Sequence, residues 1–300
     1  QPLIVVLAAW FVLRRQVRPA GVLLVTALVP ILAYGAWFYA TYQRIGLIGA
    51  NGVFLYARTM SFADCERMDP PPDLRVLCDP RPAGERPPSQ EYIWAKDAPI
   101  VQLPGITFTK ETDDLAMRFA LLAIRTQPLD YAGSVLAELG RTFVWGRPVY
   151  PDQEIYGYYQ FPETPPGPPG RYPAQVGAEF AQRYEQGPIG TQVVEPYAGW
   201  MRTYQHVARM PGTVLLVILL APPAVAVWRR FRYGRARGSG PALWLLPWSV
   251  AGVLLITPPA VAEFDYRYVL PVVPLACLAA ALACANRIGF TDDIPRNVQI

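Results

Sequence analysis

Apolar positions along this chain fall into two regimes. Near both ends they form almost unbroken runs, at 3–13, 20–40, 212–228, 242–257 and 268–285. Between residues 41 and 210 they are scattered among charged residues and prolines. An α-helix needs about 20 apolar residues to cross the hydrocarbon core of a bilayer. The five runs read as membrane spans, the first one short and the last three near the lower limit. The pattern predicts a mainly α, polytopic membrane protein of about five transmembrane helices. Two spans lie in 1–40, a large Pro-rich and mostly helical outer loop domain in 41–210, and three spans in 211–300.

Helical periodicity returns inside the outer segment. "TDDLAMRFALLAIRTQ" offers Thr112 as an N-cap, acids in the first turn, and Leu115, Phe119 and Leu122 on one face; Pro128 closes it. "DYAGSVLAELGRTFVW" offers Asp130 as N-cap and Val135, Leu136, Leu139 and Phe143 as its stripe. Weaker helical patterns cover 174–186 and 196–210. Residues 64–110 and 146–175 are dense in proline and read as irregular loop. The helices are expected to build a cap seated on the outer membrane face.

Charge orients the chain. "RRQVR" (14–18) and "RRFRYGRAR" (229–237) follow the first and third spans, are free of acids, and belong in the cytoplasm, as does Arg287 after the fifth. Residues 41–210 and 258–267 then lie on the outer face of the plasma membrane. The long segment agrees, with sixteen basic against nineteen acidic residues. Tyr34, Trp37, Tyr39 and Tyr42 supply an interfacial belt at the outer end of the second span. Prolines recur within the spans, at Pro30, Pro222, Pro223, Pro247, Pro271 and Pro274, where they kink helices or are simply tolerated. The apolar run begins at residue 3 with no charged stretch before it, unlike a signal peptide, so the chain is expected to continue upstream.

A net charge of +4 is too small to suggest a nucleic-acid partner. Cys65 and Cys78 flank a small Pro-rich loop in an oxidising compartment and are expected to form a disulfide. Cys277 and Cys284 share a helical face and read as small packing residues. The lone His206 reads as an interfacial helix residue. Metal-ligand spacing, a phosphate-binding Gly-rich loop and a nucleophile elbow are all missing from the sequence, so no cofactor is evident and no metal-ligating residue is singled out, while a metal requirement stays open.

Two stretches carry candidate chemistry. "FVWGRPVYPDQEIYGYYQFP" (143–162) sets Trp145, Tyr150 and Tyr156 among Asp152 and Glu154. Rings for stacking and carboxylates for hydroxyls would suit a sugar or acceptor; equally, the aromatics would pack on the cap. "PPAVAEFDYRYVLPVVPL" (258–275) concentrates Glu263, Asp265, Tyr266, Arg267 and Tyr268 immediately before the fifth span. At headgroup depth Arg267 could grip a lipid phosphate through paired hydrogen bonds, oriented by Asp265 or Glu263 and flanked by Tyr266 and Tyr268. The competing reading is a salt-bridged turn with belt tyrosines.

The run D-Y-R-Y-x-L-P-x-x-P leading into the final span resembles the closing segment of GT-C superfamily membrane glycosyltransferases, of the protein O-mannosyltransferase and aminoarabinose-transferase type. "GVFLYARTMSFADC" (52–65) and "FALLAIRTQPLDYAGSVLAELGRTFVWGRP" (119–148) resemble the outer loop of actinobacterial-type members. The resemblance implies transfer of a sugar from a polyprenyl-phosphate carrier to a glycan or protein acceptor at the outer membrane face. It places the catalytic acid upstream of these residues, so the chain is expected to be a C-terminal part lacking it. Arg267 with Tyr268 and Asp265 would hold the carrier phosphate, and Arg58 beside Tyr56 is a second candidate. Two alternatives stand beside this: an envelope transporter or flippase-like protein, and a non-catalytic membrane protein whose outer domain binds a partner or glycan.

Overall fold

The structure is a computed structural model that describes residues 2–104, 109–165, 172–187, 190, 192–233 and 242–285. Arg287 and residues 234–237 of the basic loop lie outside these residues. Among the described residues there are helices and no strand. At the N-terminal end, α1 (Pro2–Leu13) and α2 (Val17–Tyr42) form a hairpin. At the other end, α11 (Gly212–Tyr233) and α12 (Leu245–Val261) both pack along α13 (Val272–Ala285), which follows a 3-10 turn at Tyr266–Tyr268. A contact between α1 and α12 joins the two groups.

Among the described residues, three helical stretches are long and apolar enough to cross a membrane: Val17–Tyr42, Gly212–Arg232 and Tyr266–Ala285. Pro2–Leu13 and Leu245–Val261 are apolar but shorter, where the sequence suggested two further spans. At about 1.5 Å per residue, α12 is about 25 Å long, against a hydrocarbon core of about 30 Å. Side chains of Val22, Val25, Val29 and Leu32 on α2 are all exposed. Such a face suits lipid and would be a liability in water. Between α11, α12 and α13 the seam is Leu215, Ala251, Leu255, Val272 and Ala276. Ala276, Ala279 and Ala283 are buried along α13, where small side chains let backbones approach closely. Cys277 and Cys284 are exposed, away from that seam.

The cap is built from α3 (Asn51–Thr59), α4 (Cys65–Met68), α5 (Glu91–Trp94), α6 (Lys110–Thr126) and α7 (Pro128–Arg141). Its core is the seam of α3 and α6, where Val53, Tyr56, Ala57 and Met60 meet Phe119, Ala120 and Ala123. The two helices touch at Gly52, where a Cβ would stand 2.0 Å from the Asp113 carbonyl oxygen. Asp113 uses that closeness: its carboxylate accepts the Val53 N–H at 3.0 Å and so caps α3. Helix α6 starts earlier than its sequence suggested, with Thr109 rather than Thr112 as N-cap; Thr112 is buried instead. Helix α7 likewise begins at Pro128, whose fixed φ suits a first turn, and Asp130 pairs with Arg67 at 2.8 Å. The expected Cys65–Cys78 disulfide is present and ties α4 to the loop that follows. That loop holds short helical turns at Arg75–Leu77, Ala83–Glu85 and α5, where proline density suggested none. Between α7 and α11 the described residues hold three further helices: α8 (Gln153–Gly157), α9 (Tyr172–Tyr184) and α10 (Tyr197–Val207).

Cap and bundle are joined at the end of α12. The last carbonyls of any α-helix have no partner within it. Here Arg58 donates its Nε–H to the Pro259 carbonyl at 2.5 Å, and the Tyr131 hydroxyl donates to the Ala260 carbonyl at 2.8 Å. A guanidinium at this negative pole is also favoured by the helix dipole. A second join lies at Gly212, whose N–H donates to the Val144 carbonyl at 3.1 Å; a Cβ there would meet the Thr142 carbonyl at 2.1 Å.

Candidate functional site

Residues 262–268 leave α12 and run between the cap and α13. Asp265 organises this turn, with one carboxylate oxygen accepting the Arg267 N–H at 2.9 Å. Its other oxygen accepts the Tyr159 hydroxyl at 2.6 Å and lies 3.2 Å from Arg267 Nε. The Arg267 guanidinium sits over the Tyr268 ring, 5.1 Å from its centre. Held from one side, it is largely exposed on the other, and it lines two cavities at once.

The first cavity, of about 120 Å³, is acidic. Glu263, Asp265, Arg267 and Tyr268 face it, with Phe54 and Ile155 as apolar walls. The Tyr150 hydroxyl lies behind it, 2.6 Å from Glu138 Oε1 and 3.3 Å from Glu263 Oε1. Glu138 also accepts the Phe264 N–H at 2.8 Å, and Glu263 accepts backbone N–H groups of Ser89 and Gln90. One phenol carries one proton, so it cannot satisfy two carboxylates fully at once. Burial, and then the nearby charge of Glu138, push Glu263 up to about 7. A carboxyl so placed exchanges its proton near neutrality. Burial and the same two carboxylates push the Tyr150 phenol upward, keeping it a donor.

The second cavity, of about 280 Å³, is cationic. Arg147, Arg209 and Arg267 line it beside Trp145 and Tyr159, and its floor is apolar, from Val269, Leu270 and Val273 at the start of a membrane-length helix. The Arg147 guanidinium lies 4.6, 5.2 and 5.4 Å from the ring centres of Tyr266, Tyr159 and Tyr156. These faces hold the cation without neutralising it. Arg147 Nε is buried and lacks a hydrogen-bond partner. Such a donor wants an acceptor, and buried donors rarely go without one.

The structure brings Glu263, Asp265, Arg267 and Tyr268 to one cavity, and Tyr266, Arg267 and Trp145 to the other. Tyr150 stands between the two glutamates, and Tyr156 packs against Arg147 and Tyr266. Four candidates lie elsewhere. Tyr56 is fully buried, its hydroxyl given to the Leu77 carbonyl and its ring edge-on to Phe119. Arg58, 1 % exposed, binds Ser61 at 2.7 Å and Ser134 at 2.9 Å as well as Pro259, so it is a clamp between cap and bundle. Both follow from α3 burying this face against its neighbours. Asp152 caps α8 and accepts from Gln90, while Glu154 accepts from Tyr158. Sequence reasoning passed over Glu138, Arg147, Tyr159 and Arg209. Arg147 did leave a signal, as the one cation within the aromatic run at 143–162. Among the described residues no group of three or more His, Cys, Asp or Glu side chains is placed to hold a metal ion. Comparison with protein-family models, characterised proteins and solved structures returns no match.

Proposed function

We propose that this protein is a glycosyltransferase of the membrane, binding a polyprenyl-phosphate-linked sugar and passing the sugar to an acceptor at the outer face. One observation carries the reading: a cavity with three guanidinium groups and an apolar floor adjoins an acidic cavity through a shared residue, Arg267. A carrier phosphate needs fixed cations, and its prenyl chain needs an apolar exit toward lipid; the larger cavity supplies both. Negative charge developing on the leaving phosphate is best stabilised by donors already in place, as Arg147 and Arg267 are. The sugar would then extend past Arg267 toward Asp265 and Glu263, whose carboxylates suit hydroxyls. The five-span topology with an extracytoplasmic cap belongs to the same proposal.

Titration of the chain in lipid nanodiscs with a polyprenyl phosphate, the matching uncharged polyprenol and inorganic phosphate tests the site. A charge-assisted hydrogen bond contributes about 1.5–3 kcal/mol, so Arg147→Ala and Arg267→Ala should each weaken polyprenyl phosphate roughly ten- to hundredfold. The polyprenol should bind far more weakly than its phosphate. Equal affinity for both, or variants that bind like the parent, would remove the donor site. In a transfer assay with a labelled polyprenyl-phosphate-linked sugar, Arg267→Ala should abolish transfer while leaving membrane insertion intact.

A further inference from the structure

Helix α10 has three distinct sides. With successive residues stepping by about 100° around the axis, Tyr197, Trp200, Met201, Tyr204 and Val207 fall on one of them. All five are exposed, Trp200 at 64 % and Val207 at 82 %. A second side, with Ala198, Arg202 and Gln205, is turned inward. Arg202 donates to the Pro162 carbonyl at 2.9 Å, and Gln205 accepts the Phe161 N–H at 2.9 Å. The third side carries Thr203 and His206, both exposed and polar. The helix is thus fixed to the protein along one edge, while among the described residues its Trp- and Tyr-rich stripe is exposed.

We infer that α10 is a membrane-interface helix, lying in the bilayer surface with Tyr197, Trp200, Tyr204 and Val207 seated among lipid headgroups and upper acyl chains. Its place in the chain favours lipid over a protein partner. Only residues 208–211 separate it from α11, a membrane-length helix, so the stripe is tethered within four residues of an apolar segment. Trp and Tyr are the residues that prefer this depth, with the ring in hydrocarbon and the polar edge in headgroups. The arrangement also sets the height of the cationic cavity, because Arg209, Met210 and Pro211, just past α10, form part of its wall. An anchored α10 would hold that wall at the level of lipid phosphates and let a charged lipid enter sideways.

The test uses the full chain with Cys277→Ala and Cys284→Ala, leaving the disulfide pair intact. Trp200→Cys, Tyr204→Cys and His206→Cys are then made singly and labelled with an environment-sensitive fluorophore. Each is reconstituted into vesicles of phosphatidylcholine and phosphatidylglycerol carrying a nitroxide either near the carboxyl end or near the methyl end of the acyl chain. An interfacial helix buries its apolar face about 5–10 Å into the headgroup boundary. Labels at 200 and 204 should therefore be blue-shifted and lose fluorescence chiefly to the shallow nitroxide, and the label at 206 should lose little to either. Three outcomes would overturn the inference: a solvent-like spectrum at 200 and 204, a blue shift without quenching (as under a protein partner), or equal quenching at all three positions. Thr203→Cys and Tyr197→Cys repeat the comparison should a first variant fail to fold. No sugar or carrier enters the measurement, so its failure leaves the transferase reading standing.

Discussion

Glu263→Gln probes the buried proton at the centre of the acidic cavity. Glu263 lies near about 7 where an ordinary glutamate lies at 4.5, because burial and Glu138 both oppose its charge. The folded protein therefore holds this proton more tightly than the unfolded chain does. Stability from it is complete below about pH 4.5, drains away as pH rises through about 7, and is constant above. At about 1.4 kcal/mol per pH unit the whole effect is at most about 3.5 kcal/mol. The carboxyl is only half-buried and borders a cavity, and solvent screening reduces the figure to about 1–2 kcal/mol. Glutamine stays neutral throughout and keeps a carbonyl for the Ser89 and Gln90 N–H groups, so its other effects are a constant offset. Thermal unfolding in detergent, followed by tryptophan fluorescence from pH 4.5 to 8.5, would be compared between variant and parent. The variant should gain on the parent by about 1–2 kcal/mol between about pH 4.5 and 7.5 and stay level above that. A difference that is flat with pH, or that falls, would mean Glu263 is an ordinary solvated carboxylate and the acidic cluster carries no shared proton.

Other consequences of the packing can be measured on the same preparation. Gly52→Ala forces a Cβ onto the Asp113 carbonyl and should cost about 1–3 kcal/mol of cap stability, seen as a lower melting temperature; an unchanged melt would contradict the α3–α6 contact. Arg58→Lys keeps the charge but cannot reach Ser61, Ser134 and Pro259 together, so a loss of about 2–3 kcal/mol is expected, and near-neutral behaviour would show that the clamp is not needed. Cys65 and Cys78 should resist alkylation until reduced, while Cys277 and Cys284 react with a lipid-permeant maleimide; labelling of all four without reductant would refute the pairing. Removing the bridge, thirteen residues apart in sequence, should cost about 3 kcal/mol.

What could be read beforehand was what depends on local periodicity. The apolar runs, the stripes of α6 and α7 and the Cys65–Cys78 pair all leave a signal within a short window of sequence. Helix starts were less legible: α6 is capped by Thr109 where Thr112 was expected, and α7 begins at Pro128, ahead of the expected cap Asp130, whose carboxylate is drawn to Arg67. Roles set by long-range contact left no mark. Arg58 looks like an interfacial cation until Pro259, 201 residues away, is brought beside it. Glu138 looks like one polar residue of a helix surface, and only folding sets it against Tyr150 and Phe264. The opening turn was the reverse case: five ionisable or phenolic side chains in six positions are too costly beside lipid to lack partners, and all five line one cavity or the other, with Arg267 lining both.

The way α12 is finished bears on how the molecule is made. Its terminal carbonyls are closed by residues that leave the ribosome 201 and 129 positions earlier, at Arg58 and Tyr131. Synthesis therefore delivers the helix after the residues that close it, and a cap folded by that time would be the mould into which the tail is cast. A chain whose cap misfolds would reach this stage with a frayed helix end, making the final hairpin the segment that quality control meets first.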